Sequence, residues 1–355
     1  MKSFYNNKKV LITGHTGFKG AWLSQVLLMW GAEVIGISLK PDTNPNLFDI
    51  LGLEQKTVSY FADIRDIETF RTIVKKEKPE IVFHMAAQPI VRTSYDDPLG
   101  TFSVNVMGTV NVLEVIKEVG CVKSVVVITT DKVYENKEWH HAYRETDPLG
   151  GYDPYSASKA AADIVTNSYI QSFFNPKDFG IKHHTLVAIA RAGNVIGGGD
   201  WAEYRLIPDV IKAVYHDDSH VEIRNPESIR PWQHVLEPLS GYLVLAKELH
   251  EKKVFVSGAW NFGPNNDSFV SVRAIAEGAQ KILGKGEYLI NPDTTKHEAT
   301  TLKLDINKAI ALLNWKPVFT FKETLDFTFM WYKNYYEKNG DIVEYTNGQI
   351  NYFFK

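Results

Sequence analysis

The sequence predicts an α/β fold, a doubly wound parallel sheet with a smaller C-terminal lobe, and three observations carry that expectation. Short apolar runs alternate with longer amphipathic stretches through the first half, the rhythm of strands that return through helices. The runs Val10 to Ile12 and Ile81 to Phe83 are continuously apolar, as strands covered by helices on both faces must be. After about Arg191 the alternation gives way to glycine-, proline- and tryptophan-rich connections such as Gly197-Gly198-Gly199-Asp200-Trp201.

The 355 residues, 44% hydrophobic and 23% charged, contain no heptad run, low-complexity tract or repeat, which excludes coiled coils and disordered classes. A formal net charge of -3 gives no overall pull toward nucleic acid or an anionic membrane, so an anionic partner has to meet a local basic pocket. Met1 to Lys9 is polar, and the longest apolar runs are too short and interrupted to span a bilayer; a cytoplasmic location is expected. The single Cys121 excludes an internal disulfide and a thiolate metal cluster, and its place before an apolar strand reads as packing.

Strands are expected at Lys9 to Thr13, Glu33 to Leu39, Thr57 to Phe61, Ile81 to Met85, Ser124 to Thr129 and Thr185 to Ala190, with helices between them. The first strand runs directly into T-G-H-T-G-F-K-G, which sets Gly14, Gly17 and Gly20 at the turn into a helix beginning near Phe18. A side chain on such a turn would hold the backbone away from a pyrophosphate, whose charge the helix N-terminus favours. The predicted fold is therefore Rossmann-type, with residues 1–190 as the dinucleotide-binding domain. Residues 191–355 form mainly a substrate-binding lobe, with some segments returning to the first domain. His15, inside the loop, is placed to approach a cofactor phosphate.

The second strand ends in Ser38, Leu39 and Lys40, without the acidic residue that holds the ribose of NAD. Lys40 reads either as a partner for a 2′-phosphate or as a solvated surface charge. After the third strand, Asp63 in F-A-D-I-R-D suits an adenine contact, or a helix N-cap before Ile67.

In Y-S-A-S-K, Tyr155 and Lys159 are four residues apart and project from one helix face. An ammonium beside a phenol favours the phenolate, lowering the tyrosine pKa so that it can take a proton from a hydroxyl. The fifth strand ends in T-T-D-K-V-Y, placing Thr130, Asp131 and Lys132 at the carboxyl edge of the sheet, where ligands bind in such folds. Asp131-Lys132 also reads as an exposed opposite-charge pair. His140 and His141 lack spaced partners, and no metal site is expected.

Taken in order, the glycine motif, the H-M-A-A run at His84 to Ala87, Asn105 in V-N-V-M-G-T, Tyr155-x-x-x-Lys159 and N-F-G-P at Asn261 to Pro264 resemble the extended short-chain dehydrogenase/reductase family nearly end to end. The T-D-K-V-Y-E-N segment resembles the sugar-nucleotide 4,6-dehydratases, and the lysine where most carry a glutamate base resembles their CDP-glucose branch. The resemblance implies NAD as cofactor, held by Gly14, Gly17, Phe18, Gly20, Asp63, Ile64, Ala86, Ala87, Asn105, Tyr155 and Lys159. It implies catalysis by Thr130, Asp131, Lys132, Tyr155 and Lys159, with Thr130 bonding the 4-oxygen of the sugar.

For the substrate, Arg230 in I-R-P-W-Q-H-V and Asn194 in R-A-G-N-V-I-G match the family's diphosphate positions, and Arg205 in Y-R-L-I-P-D follows. Arg191 and Arg224 read equally as structural ion-pair partners. Glu298 in H-E-A-T-T-L-K-L-D is a candidate ribose contact. The tryptophans of the C-terminal half read as core packing before base stacking. The helices around Thr101 to Val119 and Asp153 to Ile170 suit a homodimer or homotetramer. A 4-epimerase would share Tyr155, Lys159 and the glycine loop without needing Asp131 and Lys132, and an idle NAD-loaded scaffold would need neither pair.

Overall fold

Seven segments meet in one sheet: β1 (Lys9–Thr13), β2 (Glu33–Ser38), β3 (Val58–Phe61), β4 (Ile81–His84), β5 (Ser124–Ile128), β6 (Leu186–Ala192) and β7 (Gly258–Phe262). The spatial order is β7-β6-β5-β4-β1-β2-β3, and every pairing is parallel. The computed structural model describes residues 1–216, 220–223, 225–265, 268–290 and 302–355. Arg224 and Glu298 lie outside the described residues.

Six strands fall where the apolar runs place them, to within two residues at each end. β7 was not expected, because Gly258-Ala259-Trp260-Asn261-Phe262 carries no apolar run, only alternate Trp260 and Phe262 side chains, both fully buried.

The continuous apolar strands have a direct cause. Val10 and Ile12 pack into one core and Leu11 into a second on the opposite sheet face, as do Ile81 and Phe83 against Val82. The second core is covered by α2 (Ile67–Glu77), α3 (Gly108–Val119) and α4 (Pro154–Ser172), through Phe70, Val112 and Ile170. The first is covered by α1 (Phe18–Met29) and by α6 (Leu236–His250), with Trp22, Leu23, Leu236 and Leu243. α1 is apolar nearly all round because it is sandwiched, and its Trp22 Nε1 donates to Gly198 O at 2.9 Å.

Four further helices, α5 (Leu206–Tyr215), α7 (Val272–Leu283), α8 (Phe321–Glu337) and α9 (Ile342–Phe353), build on the first core. α8 begins with a capping box between Thr320 and Glu323. Its buried Trp331 donates to Thr346 at 2.8 Å, and Tyr332 exchanges hydrogen bonds with both backbone groups of Asp200. Any side chain at Gly198 would stand 2.0 Å from the Trp331 ring, so the glycine run keeps the chain pressed against α8.

The helical stretch Pro98–Val119 is long and apolar enough by composition to cross a membrane, a length the sequence reading had not assigned. Its Val112, Leu113, Val115 and Ile116 side chains are buried against the sheet, which makes it a core helix. A π turn at Ser103–Met107 interrupts it.

Candidate active site

A cleft of about 1200 Å³ opens along the carboxyl ends of the strands, at the point where the strand order reverses between β1 and β4. Of the expected residues, Gly14, Gly17, Phe18, Gly20, Asp63, Ile64, Ala86, Ala87, Thr130, Asp131, Lys132, Tyr155, Asn194, Arg205 and Arg230 all line it.

The floor is the glycine turn. Gly14 has φ +78°, and a Cβ there would meet Ala86 N at 2.8 Å, while a Cβ on Gly20 would meet Gly14 O at 2.1 Å. Gly17 is the N-cap of α1, and no side chain caps the helix, so the N-terminal N–H groups remain for a ligand. Thr13 Oγ1 accepts from both Met85 N and Ala86 N at 3.1 Å, tying the loop after β4 to β1. This cradle fits the pyrophosphate of a dinucleotide.

Asn105 stands behind that loop. Its amide donates to Gln88 O at 3.1 Å and to Ser158 Oγ at 2.8 Å and accepts from Gln88 N at 2.8 Å, so it positions the Ala86–Ala87 wall and α4 together. The π turn carries this residue inward. Asp63 holds Arg65 through its guanidinium, which lowers the carboxyl pKa. The helix cap before Ile67 is Asp66, not Asp63: Asp66 accepts from Thr69 N at 3.1 Å.

His15 does not approach the cleft. Its ring fills the space above Gly36, bonds Ser59 Oγ at 3.0 Å and meets Phe48 edge-on; burial lowers its pKa to about 4. Lys40 lies exposed over the Phe61 ring at 5.9 Å, and Ser38 is bonded to Thr16 at 2.8 Å.

The reacting end is built by α4 and the turn after β5. Asp153 caps α4 by accepting from Ser156 N at 2.9 Å, and Pro154 occupies the first turn. Tyr155 and Lys159 then face the sheet one turn apart, and Lys159 Nζ donates to Ile128 O at 2.8 Å. Burial and the Lys19 charge lower the Lys159 pKa to about 8. The expected lowering of the tyrosine is not observed. Burial pushes Tyr155 up to about 12, Asp131 adds to it, and the hydrogen bond with Thr130 and the charge of Arg205 only partly oppose it.

Asp131 is fully enclosed and accepts from Thr130 Oγ1 at 2.9 Å; burial raises its pKa against the pull of Lys132, Thr130 and Arg230. The Asp131-Lys132 pair is therefore not a solvated surface pair. A side chain at Gly193 would reach within 3.0 Å of Asp131 Oδ2, so the glycine keeps the carboxyl open to the cleft.

Across the cleft, Arg205 Nη1 pairs with Asp200 Oδ2 at 2.8 Å, and Asn194 accepts from Gln233 N through its carbonyl. Arg191 is structural: its guanidinium grips Asp163 with two 2.8 Å bonds, both side chains buried. Sequence reasoning missed Lys19, which stands on the first turn of α1 inside the cleft, and Asp200, the Arg205 partner. A lysine between the last two glycines of the loop was the available sign of the first. Among the described residues, no cluster of side chains suits a metal ion.

A family model described as GDP-mannose 4,6 dehydratase matches residues 11–328. The chain belongs to that family. Within the wider extended short-chain dehydrogenase/reductase group, it is 49% identical to a CDP-glucose 4,6-dehydratase of Salmonella typhimurium, across 94% of this chain and 92% of that one. A UDP-glucuronate 4-epimerase of Thermodesulfobacterium geofontis is 26% identical over 91% of this chain and 95% of its own. Among solved structures, a dTDP-glucose 4,6-dehydratase from Streptomyces venezuelae with NAD bound superposes with a TM-score of 0.78 at 23% identity, covering 92% and 97% of the two chains. A UDP-glucose 4-epimerase from Thermotoga maritima gives 0.79 at 21% identity, covering 92% and 99%. Family members thus bind NAD on this fold.

Proposed function

We propose that the protein is a CDP-glucose 4,6-dehydratase, converting CDP-D-glucose to CDP-4-dehydro-6-deoxy-D-glucose and water. The observation that carries this reading is the chain Tyr155–Thr130–Asp131: an enclosed carboxyl, held protonated beyond its ordinary range, joined through one hydroxyl to the phenol. An epimerase has no work for that acid, and the 49% identical relative is a dehydratase for CDP-glucose.

NAD fits the glycine cradle and, when bound, supplies the oxidant that takes hydrogen from C4 and the reductant that returns it to C6. Gly14, Gly17, Phe18 and Gly20 would hold its pyrophosphate, and Asp63, Ile64, Ala86 and Ala87, the last two set by Asn105, would line the rest of its site. Tyr155 takes the proton of the 4-hydroxyl, and Thr130 bonds the resulting 4-oxygen. Lys159 is oriented by Ile128 O and keeps positive charge near the phenol. The C4 ketone acidifies C5; Lys132, which acts as a base only in its neutral form, removes that proton and gives it back to C5 when C6 is reduced, while Asp131 protonates the departing 6-hydroxyl as water. Asn194, Arg205 and Arg230 take the diphosphate.

Residues 1–190 serve chiefly the cofactor and 191–355 chiefly the substrate. The protein acts in the cytoplasm as a homodimer or homotetramer, through exposed apolar residues such as Leu99, Met107 and Ile164 around α3 and α4. The test is incubation with CDP-, UDP- and dTDP-glucose, following loss of one water by mass. Water loss with CDP-glucose alone is expected; inversion at C4 without water loss would make the protein an epimerase, and no reaction despite bound NAD would make it a scaffold.

A further inference from the structure

Lys19 lines the cleft from the first turn of α1 and makes no hydrogen bond or ion pair among the described residues. The charges facing it come from three places: Lys159 on α4, Asp131 after β5, and Asp200 and Arg205 on the segment entering α5. Neither nearby carboxylate is free to neutralise it. Asp200 is held by Arg205 at 2.8 Å, and Asp131 is bonded by Thr130 and drawn by Lys132 and Arg230. Desolvation and the like charge of Arg205 lower the Lys19 pKa to about 8, against Asp131 and Asp200.

Two cations held toward one enclosed space repel each other and are stabilised by an anion placed between them. Asp131, Asp200 and Arg205, the charges that act on Lys19, line the cleft from the turn after β5 and the segment entering α5, not from the glycine turn. We infer that Lys19 joins Arg205 in binding the diphosphate of the nucleotide sugar, so that the helix cradling the cofactor also grips the substrate. The inference rests on the dehydratase reading only for the identity of the diphosphate. It makes Lys19 a binding residue opposite Arg205, supplied by the first lobe to a ligand held mainly by the second.

The test is calorimetric titration of the wild type, Lys19→Met and Lys19→Arg, needing no turnover. One ligand is whichever of CDP, UDP and dTDP the wild type binds most tightly; the other is ADP-ribose, which carries the cofactor's pyrophosphate. Lys19→Met is expected to weaken the nucleoside diphosphate tenfold or more and ADP-ribose less than twofold, with Lys19→Arg retaining most of the affinity. In steady state, KM for the sugar nucleotide rises. Loss confined to ADP-ribose, equal loss for both ligands, or unchanged affinity for both would each overturn the assignment. Failure of the dehydratase reading shows separately, in the wild type's products and choice of base.

Discussion

Asp131 shares Thr130 with Tyr155, so the proposed acid for the leaving hydroxyl and the proposed base for the 4-hydroxyl stand on one short hydrogen-bonded chain. Removing the acid alone should separate the two halves of the reaction. Asp131→Asn keeps size and polarity but cannot donate a carboxylic proton, so water loss is expected to fall by about 10²–10⁴-fold. C4 oxidation should continue, visible as reduced cofactor accumulating on mixing with substrate; water loss at the wild-type rate would remove Asp131 from the acid role. Because burial raises the Asp131 pKa, its protonated form persists above the ordinary carboxylate range, and the rate of water loss should decline only on the alkaline side of that range. The cleft position of Asp131 and Tyr155 was legible in the sequence, Tyr155 from its helical spacing to Lys159 and Asp131 from its place after the fifth strand and the family resemblance. His15 was not legible. A glycine loop specifies where its backbone runs, but the hole that takes the histidine ring is made by Gly36, on another strand.

At the scale of elements, that hole yields a second prediction. A Cβ at Gly36 would stand 2.1 Å from His15 Cδ2, with no room on either side of a sheet in mid-pairing. Gly36→Ala should therefore destabilise by about 1–3 kcal/mol and, by pushing the loop, weaken dinucleotide binding as well. Urea unfolding and cofactor titration check both, and an intact affinity at lowered stability would uncouple His15 from the loop. Elsewhere, buried Glu237 on α6 accepts from Val318 N at 2.9 Å and Phe319 N at 2.6 Å, pinning the chain that leads into α8. Glu237→Ala leaves the buried Phe319 N–H without its partner, at about 1–3 kcal/mol, and the part-buried Val318 N–H at less; Glu237→Gln keeps one acceptor and should lose less. Urea midpoints for the pair measure the difference, and equal midpoints would show that water replaces the carboxylate. The helix-forming patterns of α1 and α4 announced these elements, whereas β7 was hidden because alternate burial over five residues resembles an ordinary loop.

Across the whole molecule, two cores on opposite sheet faces are joined by polar groups that had to be buried in a fixed protonation state. His15, His84 and His234 are held neutral by burial, with pKa values lowered from 6.5 to about 4, 3 and 3. Each stabilises the fold fully above the unfolded value and loses that contribution as pH falls through the window down to the folded value. Burial raises Glu237 to about 7, and also raises Asp131 and Glu145, so these acids favour the fold on the acid side and lose that advantage as pH rises. As pH falls below about 6.5 the two sets oppose each other. Glu237 and Glu145 drop out below their unfolded value of 4.5, whereas His84 and His234 stay neutral in the fold down to about 3 and His15 down to about 4. Glu80, lowered to about 2 by Lys123, His250 and Lys8 against the cost of burial, then adds to the loss. Stability should therefore fall more steeply below about pH 4.5, with each histidine still neutral in the fold contributing up to about 1.4 kcal/mol per pH unit. His234 has one orphaned ring nitrogen and packs against Trp22, Phe319 and Phe327, so His234→Leu removes one of these contributions without removing a ligand contact. Unfolding free energies measured by urea at stepped pH should give a slope smaller by about 1.4 kcal/mol per pH unit in this variant between about pH 5.5 and 4. A steep loss already under way at pH 6, or an unchanged slope in His234→Leu, would assign the acid sensitivity to groups other than the buried histidines.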